Sequence, residues 1–335
     1  MNRYFLATLA LTAVILSACI APPVRPRATL PAPVSSSTTP QPLVVIPIAD
    51  AAATTLTVDG FPDWLEIGFG SLWVSSPSMA AIQRIDLKTK QVVSKILIPT
   101  PCAAMTLGFD ALWVANCSTG EVFRIDARTN EIVAKIKAPL ATSESSISAG
   151  EGGVWLVSDY RGILTRIDPD TNKVVAEIKI KRESSAAIAG YGGVWVTNTG
   201  GYSSKEGTVQ RIDPLTNSIV ATITVGGHPR FLAVGEGAVW VLNQIEGTVS
   251  RIDPQTNQVV ATIDSGVVGE GGDIAAGEGA VWVRGATVLL VVIDPATNQV
   301  IKRYGPSQGS GAVRAREGGV WISAHDVSRI WGLKP

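Results

Sequence analysis

Asp86, Asp126, Asp168, Asp213 and Asp253 each end an Arg-Ile-Asp triplet, and Asp294 ends the same triplet without its arginine. Carboxylates do general acid and base work when two of them converge on one substrate. These six instead return singly, each ahead of a turn such as Asp-Pro-x-Thr-Asn, so each is expected to accept bonds from its turn's threonine or backbone N–H groups. Other candidates are few. There are two histidines, His228 and His325, and three cysteines, Cys19, Cys102 and Cys117. The chain has no Gly-x-Ser-x-Gly, no His-Glu-x-x-His and no phosphate-binding Gly-Lys-Ser/Thr. No metal site is read from the sequence. His228 and His325 are the only weak catalytic candidates.

The elements that position these residues come from a repeat. Trp73, Trp113, Trp155, Trp195, Trp240, Trp282 and Trp321 recur at intervals of 39 to 45 residues, a period that marks a propeller or solenoid array. The copy at 235–263 is the clearest: a short apolar run, Gly-Ala-Val-Trp-Val, an alternating Gly-Thr-Val-x-Arg-Ile-Asp, the Asp-Pro turn and a β-branched Val-Val-Ala-Thr-Ile. That gives four strands, A to D, with no 3.6-residue period. The reading is an all-β, seven-bladed β-propeller of four-stranded antiparallel blades. One tryptophan per blade is expected to pack between blades. The last copy lacks strand D, while 54–58 resembles an orphan strand D, so an N-terminal strand is expected to complete the last blade. Glu66 and Arg314 could then pair across the closure, where an exposed pair would contribute little.

Hydrophobic residues make up 46% of the chain, enough for a large core. The 28 basic residues balance the 28 acidic ones and form no stripe, which argues against nucleic acid. Three regions are expected. Residues 1–18, with Arg3 and the apolar run 5–16, read as a signal peptide. Leu16-Ser17-Ala18-Cys19 resembles the lipobox of bacterial lipoproteins, which implies lipidation of Cys19 and a membrane anchor through its lipid. Residues 19–50 are a Pro-, Ser- and Thr-rich tether, of which 43–48 is apolar enough to dock on the domain. Residues 51–335 form the propeller. The expected address is the cell membrane or, since Ile20 rather than Asp follows Cys19, the outer membrane, with the domain outside the cytoplasm and monomeric.

Cys102 and Cys117 flank the A–B hairpin of the second blade at facing positions, and outside the cytoplasm such cysteines favour a disulfide. The residues that break the repeat in the D–A and B–C loops mark the expected ligand-binding face: Asp159, Tyr160, Arg161, Tyr202, Lys205, His228, Arg230, Arg284 and His325. The loop 199–206 is the longest of these.

Val196-Thr197-Asn198, Val241-Leu242-Asn243 and the Asp-Pro-x-Thr-Asn-x-Val-Val-Ala-Thr-Ile unit resemble the YVTN-type propeller repeats of bacterial surface and periplasmic proteins. They are also similar to the streptogramin B (virginiamycin B) lyase family. That second resemblance implies a magnesium-assisted ring-opening elimination, carried out by clustered histidines and a glutamate on the channel face. Here two separated histidines stand in place of the cluster, and no catalytic residue carries over. The reading is therefore a binding or scaffolding module for an envelope protein, a glycan or a small ligand, without a cofactor. The alternatives are a lyase-like enzyme, which alone would need magnesium, and a small-ligand sensor.

Overall fold

The computed structural model describes residues 43–335, apart from 142, 143, 145, 202 and 203. The signal, Cys19 and most of the tether lie outside the described residues, as does Tyr202. Seven antiparallel sheets form blades 1 to 7, at 65–97, 101–137, 147–179, 184–226, 229–264, 273–305 and 313–333. The innermost strands A touch in sequence order, and strand A of blade 7 (Val313–Arg316) touches that of blade 1 (Leu65–Gly68), which closes the ring. Thr54–Thr57 pairs antiparallel with Arg329–Leu333 and supplies the missing strand D of blade 7. The apolar stretch ahead of it also docks. Val45–Pro47 adds a fifth, parallel strand to the outer edge of blade 6, against Arg303, Tyr304 and Gly305, and Ile48 is buried beside it. A free outer edge is a template for unwanted pairing, and this segment covers one.

A second repeat joins the blades. In blades 1 to 5 the cross-strand partner of the tryptophan is an arginine, from Trp73–Arg84 to Trp240–Arg251. Each guanidinium lies 4.6–5.1 Å from the centre of its own tryptophan ring. It then reaches into the next blade's C–D turn. Arg211, for example, donates to Pro254 O at 2.7 Å and to Asn257 Oδ1 at 2.8 Å. Asn257 sits at φ 58°, a left-handed position that asparagine tolerates, and that conformation turns its amide toward the arginine. Within each turn the leading aspartate accepts from the turn itself: Asp86 takes the Thr89 N–H at 2.6 Å and the Thr89 hydroxyl at 3.0 Å. These bonds hold the aspartates below the usual carboxylate range. The six aspartates are turn residues.

The clamp stops at blade 6. There the tryptophan's partner is Val292, and in blade 7 it is Gly332. Blade 7 has no C–D turn, because its strand D comes from the other end of the propeller, so an arginine at 292 would find no asparagine to meet. Between blades 7 and 1 the polarity reverses. Lys90, at the position of the turn asparagines, places its ammonium 4.8 Å from the centre of the Trp321 ring.

Candidate functional site

With the clamp absent, the sector formed by blades 6, 7 and 1 is held by buried charge. Arg314, on strand A of blade 7, donates through Nε to Glu66 Oε1 at 3.0 Å and through Nη1 to Asp273 Oδ2. Its guanidinium also stacks on Trp64, 4.6 Å from the ring centre. The three side chains are only 18, 13 and 3% exposed. The Glu66–Arg314 pair thus forms as the sequence suggested, but not as an exposed pair of little weight: both residues line the central channel, where water is scarce and charge interactions are stronger. Burial pushes both carboxyls above their ordinary range, against the pull of Arg314.

Toward the face of the D–A and B–C loops the channel is obstructed. Trp64, in the loop leading into blade 1, stacks against Phe231 of blade 5 with ring centres 6.4 Å apart. Blades 1 and 5 are not neighbours, so this contact crosses the channel. Arg230 of blade 5 likewise reaches Glu144, in the loop ahead of blade 3, at 2.7 Å. Asp63 lies beside them with a carboxyl raised to about 6, chiefly by burial, with His325 opposing the rise.

The face residues expected from the sequence separate into groups. Asp159 and Arg161 bind each other within one turn, with Arg161 Nε 2.8 Å from Asp159 Oδ2, and that pairing lowers the aspartate. The Glu183 N–H donates to Tyr160 O at 2.7 Å, and Glu183 O accepts from Thr199, so these B–C loops of blades 3 and 4 meet across the D–A loop between them. Tyr160 and Lys205 are exposed. His228, half-buried ahead of blade 5, is lowered first by burial and then by Arg230. His325 is on blade 7 and pairs with Asp326 at 2.8 Å. Arg284 does not belong to the exposed face. It is fully buried and donates to Gly309 O at 2.8 Å, in the loop between blades 6 and 7, and to Ser323 O at 3.3 Å on blade 7. Its position on strand B points inward, as Leu242 does in blade 5, and burial lowers it to about 10. Cys102 and Cys117 form a disulfide with Cα atoms 5.4 Å apart. Among the described residues no three His, Cys, Asp or Glu side chains are placed to hold a metal, so the donor set does not fit the magnesium that the lyase resemblance implies.

Sequence reasoning missed Asp63, the cross-channel pairs Trp64–Phe231 and Arg230–Glu144, and the buried state of Arg314. For Arg314 the available signal was departure from the repeat on strand A; Asp63, Trp64 and Glu144 lie in the D–A loops, where nothing in the repeat pairs residues across the channel.

No protein-family model matches the chain, and no curated protein matches it in sequence. Solved structures do. Virginiamycin B lyase from Staphylococcus aureus is 17% identical and aligns over 84% of this chain and 98% of its own, with a TM-score of 0.67. BamB from Moraxella catarrhalis is 11% identical over 85% of this chain and 99% of its own, with a TM-score of 0.59. The computationally designed Ika8 protein is 13% identical over 85% of this chain and 100% of its own, with a TM-score of 0.62. A likeness that extends equally to a designed chain is one of architecture. In fold, the chain is similar to the streptogramin lyase propeller and to propellers of other functions.

Proposed function

We propose that the protein is a lipid-anchored propeller outside the cytoplasm, on the cell membrane or the outer membrane, and that it acts as a binding or scaffolding module for an envelope partner. The observation that carries this reading is the closure of the channel beneath the B–C and D–A loops by Trp64 against Phe231 and by Arg230 against Glu144. Above that closure the charged side chains of Arg161 and Lys205 are exposed. Such a surface suits a partner held over an area rather than a substrate held in a cleft. The lipobox-like Leu16-Ser17-Ala18-Cys19 supports the address.

The test is affinity capture from envelope extract with the full-length protein in detergent, beside a variant carrying Arg161→Glu and Lys205→Glu. A stoichiometric protein or glycan held by the parent and lost from the variant is expected. An eluate identical for the two refutes the reading. A second reading, lyase-like elimination, draws on Asp63, whose raised carboxyl beside His325 suits proton transfer near neutral pH. It requires turnover that Asp63→Asn abolishes.

A further inference from the structure

The central channel holds a cavity of about 350 Å³ on the other side of the Trp64–Phe231 contact, lined by the strands A. In every blade one lining residue is the strand-A partner of the tryptophan, which makes a ring of seven equivalent positions. Blades 7, 1, 2 and 3 place Arg314, Glu66, Thr106 and Ser148 there, and blades 4, 5 and 6 place Ile188, Ala233 and Ala275. The backbone repeats around the ring and the chemistry does not: one arc is polar and the other apolar.

The polar arc keeps unused hydrogen-bonding capacity. The Thr106 hydroxyl accepts the Ala149 N–H at 3.1 Å, and that of Ser148 accepts the Ala189 N–H at 3.0 Å. Each oxygen is thus spent on the next blade, while its own O–H finds no acceptor among the described residues. Arg314 uses Nε and Nη1 on Glu66, Asp273 and the Val313 carbonyl, which leaves Nη2 without a partner among the described residues. Glu66 likewise uses one carboxylate oxygen, Oε1. Two hydroxyl donors and a guanidinium N–H suit a carboxylate. A free carboxylate oxygen beside them, with Asp273 as a second negative charge, suits an ammonium. The apolar arc leaves room for a hydrocarbon body, and the volume lies at the lower end of small-molecule sites.

We propose that this cavity binds an α-amino acid with an apolar side chain. Its carboxylate meets Ser148, Thr106 and Arg314, its ammonium meets Glu66, and its side chain lies against Ile188, Ala233 and Ala275. With Trp64 and Phe231 across the channel on one side, the ligand comes and goes past the A–B turns. The site is thus separate from the proposed partner face and does not depend on it.

The experiment is calorimetric titration of the full-length protein in detergent with leucine, with isopentylamine, which lacks the carboxylate, and with 4-methylpentanoate, which lacks the ammonium. Leucine is expected to bind saturably, one per chain, and each analogue at least about tenfold more weakly. Ser148→Ala and Thr106→Val should each weaken leucine by about tenfold, and Ala233→Leu, which fills the apolar arc, should abolish binding. The comparison of the three probes on the unmodified protein decides the matter even if a variant fails to fold. No saturable leucine binding, equal affinity for either analogue, or unchanged binding in a folded Ala233→Leu overturns the proposal.

Discussion

Replacing Arg314 with methionine should expose how blade 7 is held. The change keeps most of the side-chain volume and removes the cation that bonds both Glu66 and Asp273. Two buried carboxylates then lose the counter-ion bonded to both, and only the less direct fields of Arg316 on Glu66 and Arg284 on Asp273 remain. Breaking a buried pair by removing one partner costs about 3–5 kcal/mol, and the lost stacking on Trp64 adds about 1 kcal/mol. A loss of about 5 kcal/mol at neutral pH is therefore expected, equivalent to a fall of roughly 10 °C in Tm. The loss should depend on pH in a definite sense. Both carboxyls are already raised from their ordinary values of 3.8 and 4.5, and removing the arginine raises them further. A carboxyl whose folded pKa is raised gives stability that is present below its unfolded pKa and is lost as pH rises through its folded pKa. The deficit of Arg314→Met should thus be largest at neutral pH and should shrink as pH falls toward about 4. Adding Glu66→Gln and Asp273→Asn should return stability to within about 1 kcal/mol of the parent, because a neutral network of the same shape has no charge to desolvate. Chemical unfolding followed at several pH values is the assay. A deficit under about 0.5 kcal/mol at neutral pH, or one that does not change with pH, would refute the reasoning.

Asp63→Asn should act in the opposite direction. The native carboxyl is raised from 3.8 to about 6, so it costs stability progressively as pH rises between those values and in full above them. The substitution should add about 1–2 kcal/mol near pH 7.5, a figure reduced from the full shift because the side chain is partly exposed, and nothing near pH 4; thermal melts at both values check it. Arg211→Ala removes the bonds to Pro254 and Asn257 and the stacking on Trp195, for an expected cost of about 2–4 kcal/mol in chemical unfolding. Arg211→Lys should recover less than half of it, since an ammonium lacks the planar fork. The Cys102–Cys117 bridge spans 15 residues, and replacing both cysteines with alanine should cost about 3 kcal/mol, with no added effect of a reductant on that variant's melting.

The repeat made the blades legible because each copy carries its own strand pattern and turn chemistry. The Thr54–Thr57 closure was legible for the same reason, as a copy cut in two. The clamp was not. Arg211 and Asn257 lie 46 residues apart in successive copies, and only a reading of one copy against the next pairs them. Their joint disappearance around blade 7 was the available clue, since Val292 stands where an arginine would be and blade 7 takes its strand D from Thr54–Thr57. Arg284 was misplaced because a charged residue next to a loop looks exposed. Its inward direction is set by strand alternation, and its burial becomes affordable only through carbonyl acceptors on a neighbouring blade. The polar and apolar arcs of the channel stayed hidden for a different reason. They become a pattern only when the partners of seven tryptophans are set side by side, and attention to the loops led away from strand A.

The departures from the repeat are concentrated where the ring is closed, and this follows from how it is closed. Five blade junctions use one device, an arginine stacked on its own tryptophan and reaching an asparagine in the next turn. That device needs a C–D turn in the following blade. Blade 7 is assembled from two distant segments and cannot supply one, so an arginine at 292 would be a buried cation with nothing to bond, at a cost of several kcal/mol. Valine there avoids the cost but leaves the junction between blades 6 and 7 without its clamp. Arg284 and Arg314 fill that role from strands B and A, nearer the axis, with acceptors on blades 6, 7 and 1. Moving the charge inward has a consequence that the clamps do not have: it places ionisable groups on the wall of the channel. The closure that makes the ring stable is thus also what puts charge, Arg314 and Glu66, on one side of its cavity, beside the hydroxyls of Thr106 and Ser148 on blades 2 and 3, and a ring of seven identical blades could not have produced that asymmetry.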